Sequence, residues 1–122
     1  PFWTLALSKP RGIFGNNFNA QENPEMYKAI SPIYNIPRLE ERKLPPQFIT
    51  SASKDRVTPV NAIEEYVRAL QDAGQEVTYW EYKDQGHAYL DSGKTFMSGN
   101  DFKRDAIPAL KKIMKFLDSK LL

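Results

Sequence analysis

Pro46-Gln47-Phe48-Ile49-Thr50-Ser51-Ala52-Ser53-Lys54-Asp55-Arg56-Val57-Thr58-Pro59 reads as an apolar strand running into a polar loop that carries one acid, Asp55. Val77-Thr78-Tyr79-Trp80-Glu81-Tyr82-Lys83-Asp84-Gln85-Gly86-His87 repeats the plan: a β-branched and aromatic strand, then a loop ending on His87. Between them Val60, Ile63, Val67 and Leu70 recur at helical spacing, Thr58-Pro59 offers an N-cap and first-turn pair, and Gly74 can take a left-handed cap. Strand, helix and strand over this length make one βαβ unit with parallel strands. The composition of Val77 to Tyr82 predicts a strand buried on both faces. In open parallel sheets the reactive groups gather beyond the carboxyl ends of the strands, where Asp55 and His87 both fall.

Outward from this unit the chain is less regular. Residues up to about Asn23 mix Phe2, Trp3, Phe14 and Phe18 with Gly12, Gly15 and asparagines, the pattern of a packed loop. Such a loop either walls a substrate pocket or covers the core. Asn23-Pro24-Glu25 is a helix start, and the short helix it opens carries Met26, Tyr27 and Ile30 on one side before Ser31-Pro32 ends it. Ile33 to Pro46, with three prolines and the charged run Arg38, Glu40, Glu41, Arg42, Lys43, reads as a solvated connector. After His87 the stretch from Leu90 to Asn100 is polar, an insertion that borders a pocket or lengthens a surface loop. A last helix follows with Ile107, Leu110, Ile113, Met114 and Leu117 on one stripe, and Pro108 marks its first turn or a kink.

Composition narrows the function classes. The 122 residues, 41% hydrophobic and 26% charged, suit one small globular unit. Seventeen basic and fifteen acidic residues leave a net charge of +2, dispersed along the chain, which gives no support to nucleic acid or an anionic membrane as partner. No apolar run approaches the ~20 residues needed to span a bilayer. The absence of cysteine excludes disulfides and thiolate metal sites but leaves the compartment open. One histidine and scattered carboxylates form no ligand cluster, so neither metal nor organic cofactor is expected.

A histidine held by a carboxylate is the base half of a Ser-His-Asp triad. Asp55 and His87 are thirty-two residues apart, enough for one helix and one strand, which sets their loops side by side. Spacing alone leaves rivals standing: a loop histidine at the surface, an Asp serving only as a turn or cap residue, and Asp84 as another acid three positions before His87.

Pro45 to Pro59 resembles the strand and acid loop of α/β-hydrolases, in which a small-residue turn precedes the triad Asp and a Val-x-Pro entry opens the next helix. Ala69 to Val77 followed by Tyr82 to His87 is similar to that family's crossover helix, last strand and Gly-His loop. Asn23-Pro24-Glu25-Met26-Tyr27-Lys28-Ala29-Ile30-Ser31-Pro32-Ile33-Tyr34-Asn35-Ile36 resembles the segment before this strand in the prolyl oligopeptidase branch. The turn before Asp55 departs from the pattern, with Ser51-Ala52-Ser53 where relatives usually carry glycine.

The resemblance implies an α/β fold class: the C-terminal portion of an α/β-hydrolase domain, a βαβ unit plus a C-terminal helix with an incomplete sheet. Residues 1–46 would form a loop and short helix, and 47–122 the strand-helix-strand-helix part that carries Asp55 as triad acid and His87 as base. The nucleophile serine is missing, because none of Ser8, Ser31, Ser51, Ser53, Ser92, Ser98 or Ser119 lies in a Gly-x-Ser-x-Gly elbow. With neither initiator Met nor polar lead at Pro1, the chain reads as beginning in mid-domain. The expected partners are then the N-terminal remainder of the domain bearing that serine and a small ester or peptide substrate, with self-association as another cover for the unfinished sheet. The expected function is part of a serine hydrolase acting on ester or peptide bonds, inactive by itself. The alternatives are a relative that lost its serine and serves as a binding or scaffold module, and a stand-alone βαβ binding module. The latter lacks the expected glycine loop for phosphate.

Overall fold

Strand β1 (Gln47–Ala52) and strand β2 (Val77–Tyr82) run parallel and in register, Gln47 opposite Val77 and Ala52 opposite Tyr82. The computed structural model describes residues 21–90 and 101–121, in which these are the two strands. Ahead of them lie helix α1 (Pro24–Ile30) and a 3-10 turn, Pro32–Asn35; helix α2 (Val60–Asp72) joins the strands, and a π-helical turn, Phe102–Ala106, leads into helix α3 (Ile107–Leu121). The aromatic-rich segment at 1–20 and most of the insertion, 91–100, lie outside the described residues.

Because side chains alternate across a strand, the register sorts them into two faces. Ile49, Ser51, Val77 and Tyr79 point towards α2, which buries Val67 and Leu70 there; Leu70 is 0% exposed. Phe48, Trp80, Ala52 and Tyr82 point towards α3. Phe48 meets Phe116 at 5.3 Å between ring centroids, and Lys112 Nζ lies 3.2 Å above the Trp80 ring. Ala52, Tyr89 and Ala109 form the small core of this side, with Tyr82 against them. The result is three layers, helix on sheet on helix.

The end of α2 follows the expected chemistry. Gly74 adopts φ +75°, its N–H donates to the Gln71 carbonyl, and the Gln75 N–H donates to the Leu70 carbonyl, which is the paired closure of a Schellman cap. A Cβ on Gly74 would also stand 3.3 Å from Leu39 Cβ. The connector arrives here because Leu39 N–H donates to the Ala73 carbonyl.

Four details correct the sequence reading. Thr58 does not cap α2: Pro59 occupies the N-cap position without a side-chain bond, and the Thr58 N–H is given to Asp55. β2 is not buried on both faces, because α3 leaves Thr78 and Trp80 at an open margin. On α3 the expected stripe is largely exposed at Leu110, Met114 and Leu117; the helix instead turns Ala109 and Phe116 to a sheet too narrow to cover its whole apolar side. On α1 only Tyr27 is buried, Met26 and Ile30 are exposed, and Asn23 makes no side-chain cap bond. The capping side chain is at the other end, where Asn35 Nδ2 reaches the carbonyls of Lys28, Ala29 and Ser31. Pro108 falls in the first turn of α3.

Candidate active site

Since β1 and β2 end level at Ala52 and Tyr82, the loops that follow leave the sheet together. Their main chains are stitched: Ser53 N–H donates to the Tyr82 carbonyl at 2.9 Å and Lys54 N–H to the Gln85 carbonyl at 2.8 Å. Ser53 Oγ accepts from the Asp84 N–H at 2.7 Å, and the Ser51 hydroxyl pairs with the Tyr79 hydroxyl at 2.6 Å. The two serines that stand where glycine is usual therefore tie each strand end to its neighbour.

Within this frame Asp55 and His87 meet. His87 Nδ1 lies 2.9 Å from Asp55 Oδ2, while Asp55 Oδ1 accepts the N–H groups of Val57 and Thr58, each at 2.8 Å. The turn at 55–58 thus orients the carboxylate before the histidine arrives. The Asp55 side chain is 10% exposed and that of His87 41%, so the acid lies beneath the imidazole. Burial pushes the Asp55 carboxyl upward, but the bonds from Thr58, His87 and Val57 outweigh it and hold the group below its ordinary value. An ionised carboxylate only accepts, so Nδ1 carries the ring proton and Nε2 is the basic nitrogen of the neutral ring. Thr58 Oγ1 stands 3.5 Å from the same Nδ1, a long second contact.

Asp84 does not compete for the histidine. It adopts φ 63°, and its carboxylate faces Lys54 at 3.1 Å, with both side chains well exposed. Immediately after His87, Ala88 also takes a positive φ, 60°, where its Cβ is disfavoured; such strain persists where surrounding contacts hold it. Those contacts come from Tyr89, which is buried, stacks on Tyr82 at 4.8 Å and bonds through its hydroxyl to Thr50 Oγ1. Sequence reasoning missed Thr58 and Tyr89 as supports of the pair, since nothing in their spacing signals it. Of the serines within the described residues, Ser51 and Ser53 serve the loop frame, Ser119 bonds the Phe116 carbonyl and Ser31 is buried beside α1. Ser8, Ser92 and Ser98 lie outside the described residues. Among the described residues no three His, Asp or Glu side chains group as a metal site, and no helix is long and apolar enough to cross a membrane.

A histidine–carboxylate pair at the carboxyl ends of adjacent parallel strands can pass a proton to and from an oxygen nucleophile. The chain's likeness to known proteins runs the same way. Among solved structures it is similar to Thermogutta terrifontis esterase 2, in forms phosphoramylated by tabun and phosphonylated by cyclosarin, with TM-scores of 0.54 and 0.53 and 20% identity to each. The likeness covers 73% of this chain and 31% of each esterase chain, so the sequence spans about a third of the length of those structures. At that identity the fold is what is shared: a partial α/β-hydrolase fold. A search of curated proteins finds no match. The model of the prolyl oligopeptidase family, however, matches residues 8–121, nearly the whole sequence, and the chain belongs to that family.

Proposed function

We propose that this chain supplies the acid and base of a serine hydrolase, Asp55 and His87, and that the nucleophile serine comes from an N-terminal part of the same domain. The 2.9 Å bond between His87 Nδ1 and Asp55 Oδ2 supports this reading most directly. His87 Nε2 takes the serine hydroxyl proton as Oγ bonds to the substrate's acyl carbon, and Asp55 stabilises the imidazolium that results. His87 then returns the proton to the departing alcohol or amine, leaving an acyl-serine. Water enters by the same route: Nε2 takes its proton as the water oxygen bonds to the acyl carbon. It then returns that proton to Oγ as the acyl–Oγ bond breaks, so the carboxylic acid leaves and the serine hydroxyl is restored. Family membership favours short peptides, and the fold shared with an esterase favours small esters.

The test uses the protein that carries this chain, assayed with a chromogenic short-chain ester and an aminoacyl anilide. His87→Ala is expected to abolish turnover of whichever is cleaved, with the melting curve unchanged. Turnover of the variant at the unmodified rate rejects the assignment.

A further inference from the structure

His87 is held from behind by Asp55, but the backbone that carries it needs a support of its own, because Asp84 and Ala88 on either side sit in left-handed conformations. Gln85 stands at the entry to this loop. Its carbonyl accepts the Lys54 N–H at 2.8 Å, which fastens it to the acid loop one residue from Asp55. Its side chain goes the opposite way: Gln85 Nε2 donates to Asp105 Oδ1 at 2.8 Å.

Asp105 is a buried carboxylate, 3% exposed, in the π-helical turn Phe102–Ala106 that opens α3. Oδ2 accepts the Asp101 N–H at 2.8 Å and Arg104 Nη2 at 2.6 Å, and Oδ1 takes Arg104 Nε at 2.6 Å beside Gln85. A buried charge must be compensated by fixed donors, and here the loop glutamine is one of the donors. The π-turn, which widens the helix by one residue at its start, is closed by the bond from the Ile107 N–H to the Phe102 carbonyl, and the Asp105 N–H is given to the Asp101 carbonyl at 2.8 Å. Gln85 is thus a junction between the acid loop, the histidine loop and the last helix.

We infer that Asp105 and Gln85 are positioning residues that aim His87, two positions beyond Gln85, at Asp55 and at the serine. This rests on the triad reading given above. The tether joins the packing of Tyr89 against Ala109 in resisting relaxation of the strained turn from the α3 side, and a displacement of about 1 Å at a catalytic base costs on the order of 10² in rate.

Gln85→Met keeps length and volume but removes the donor, and Asp105→Asn keeps shape but removes the charge. In the full protein each is expected to lower kcat about 10- to 100-fold with KM changed less than about twofold, while the double variant is no worse than the poorer single one. The Nδ1–H proton resonance that disappears in His87→Ala belongs to His87 and reports the Asp55 bond without turnover; it is expected to broaden or vanish in Gln85→Met. Three outcomes decide. If His87→Ala is inactive but Gln85→Met has the unmodified kcat and resonance, the positioning role falls and the triad stands. If His87→Ala remains active, both fall. Should kcat drop additively in the double variant, with the resonance intact and the melting temperature lowered, Asp105 is a stability residue and the inference is overturned.

Discussion

Asp55 and Asp84 are both loop acids near one histidine, and their surroundings separate them. Asp55 is lined on one oxygen by two backbone N–H groups and on the other by His87, whereas Asp84 spends its charge on exposed Lys54. Asp55→Asn retains an acceptor for the turn but presents an amide N–H to Nδ1, forcing the wrong tautomer. The expected loss is on the order of 10⁴ in kcat, as for an analogous triad. Asp84→Asn, which tolerates the same positive φ, is expected to stay within about twofold of the unmodified rate; a large loss there, with a small one at Asp55, transfers the acid role. Asp105 offers a separate pH test. The Arg104 guanidinium beside it, helped by the Asp101 N–H and Gln85, holds its carboxyl below the usual range against the opposing effect of burial. A depressed native value means that the unfolded chain binds the proton first. The stabilisation is therefore complete above the unfolded carboxylate value, about 4, and is lost as pH falls through the lower folded value. Urea midpoints measured from pH 7 to pH 3 are expected to fall less steeply for Asp105→Asn than for the unmodified protein.

Between the elements, one side chain does the work of a cap. Gln75 is buried at the end of α2, where Oε1 accepts from Leu44 N–H and Nε2 donates to the carbonyls of Pro37 and Arg42. It closes the prolyl connector onto the helix end, and all three of its bonds span more than thirty residues of sequence. Gln75→Leu leaves these backbone groups without partners and is expected to cost about 2–3 kcal/mol in equilibrium unfolding. Next to it, Gly74→Ala must adopt φ +75° and crowd Leu39, for which about 1–2 kcal/mol is expected. A Gln75 variant as stable as the unmodified protein would show that the connector is held by other contacts, such as the bond from Leu39 N–H to the Ala73 carbonyl.

For the whole molecule, the sheet of two described strands carries a helix on each face, yet α3 shows Met114 61% exposed and Leu121 77% exposed, with Leu110 and Leu117 beside them. A row of apolar side chains left in water along one helix favours association. Produced by itself, the chain is expected to run above its one-chain mass in native mass spectrometry, as copies of itself. A single-chain mass at micromolar concentration sinks that expectation.

What the amino-acid order settles by itself is whatever depends on neighbours in the chain. The β-branched runs make strands, the 3.6-residue period of Val60 to Leu70 makes the crossover helix, and Gly74 ends it, because each is a local backbone preference. The prolyl oligopeptidase resemblance at Asn23 to Ile36 and at the acid and Gly-His loops was legible for the same reason, being carried by contiguous motifs. Tertiary structure decided the rest. Only the in-register pairing of Ala52 with Tyr82 brings Asp55 to 2.9 Å from His87. Only the packing of α3 shows that Ala109 and Phe116 face the sheet while Leu110, Met114 and Leu117 of the expected stripe stay exposed. Gln85, Asp105, Tyr89 and Gln75 carry no periodic or motif signal, since a polar side chain's partner is fixed by where distant loops meet. The turn at Asp55 was ambiguous in sequence because a carboxylate two and three residues before free N–H groups serves a cap as well as a triad; in three dimensions it binds both.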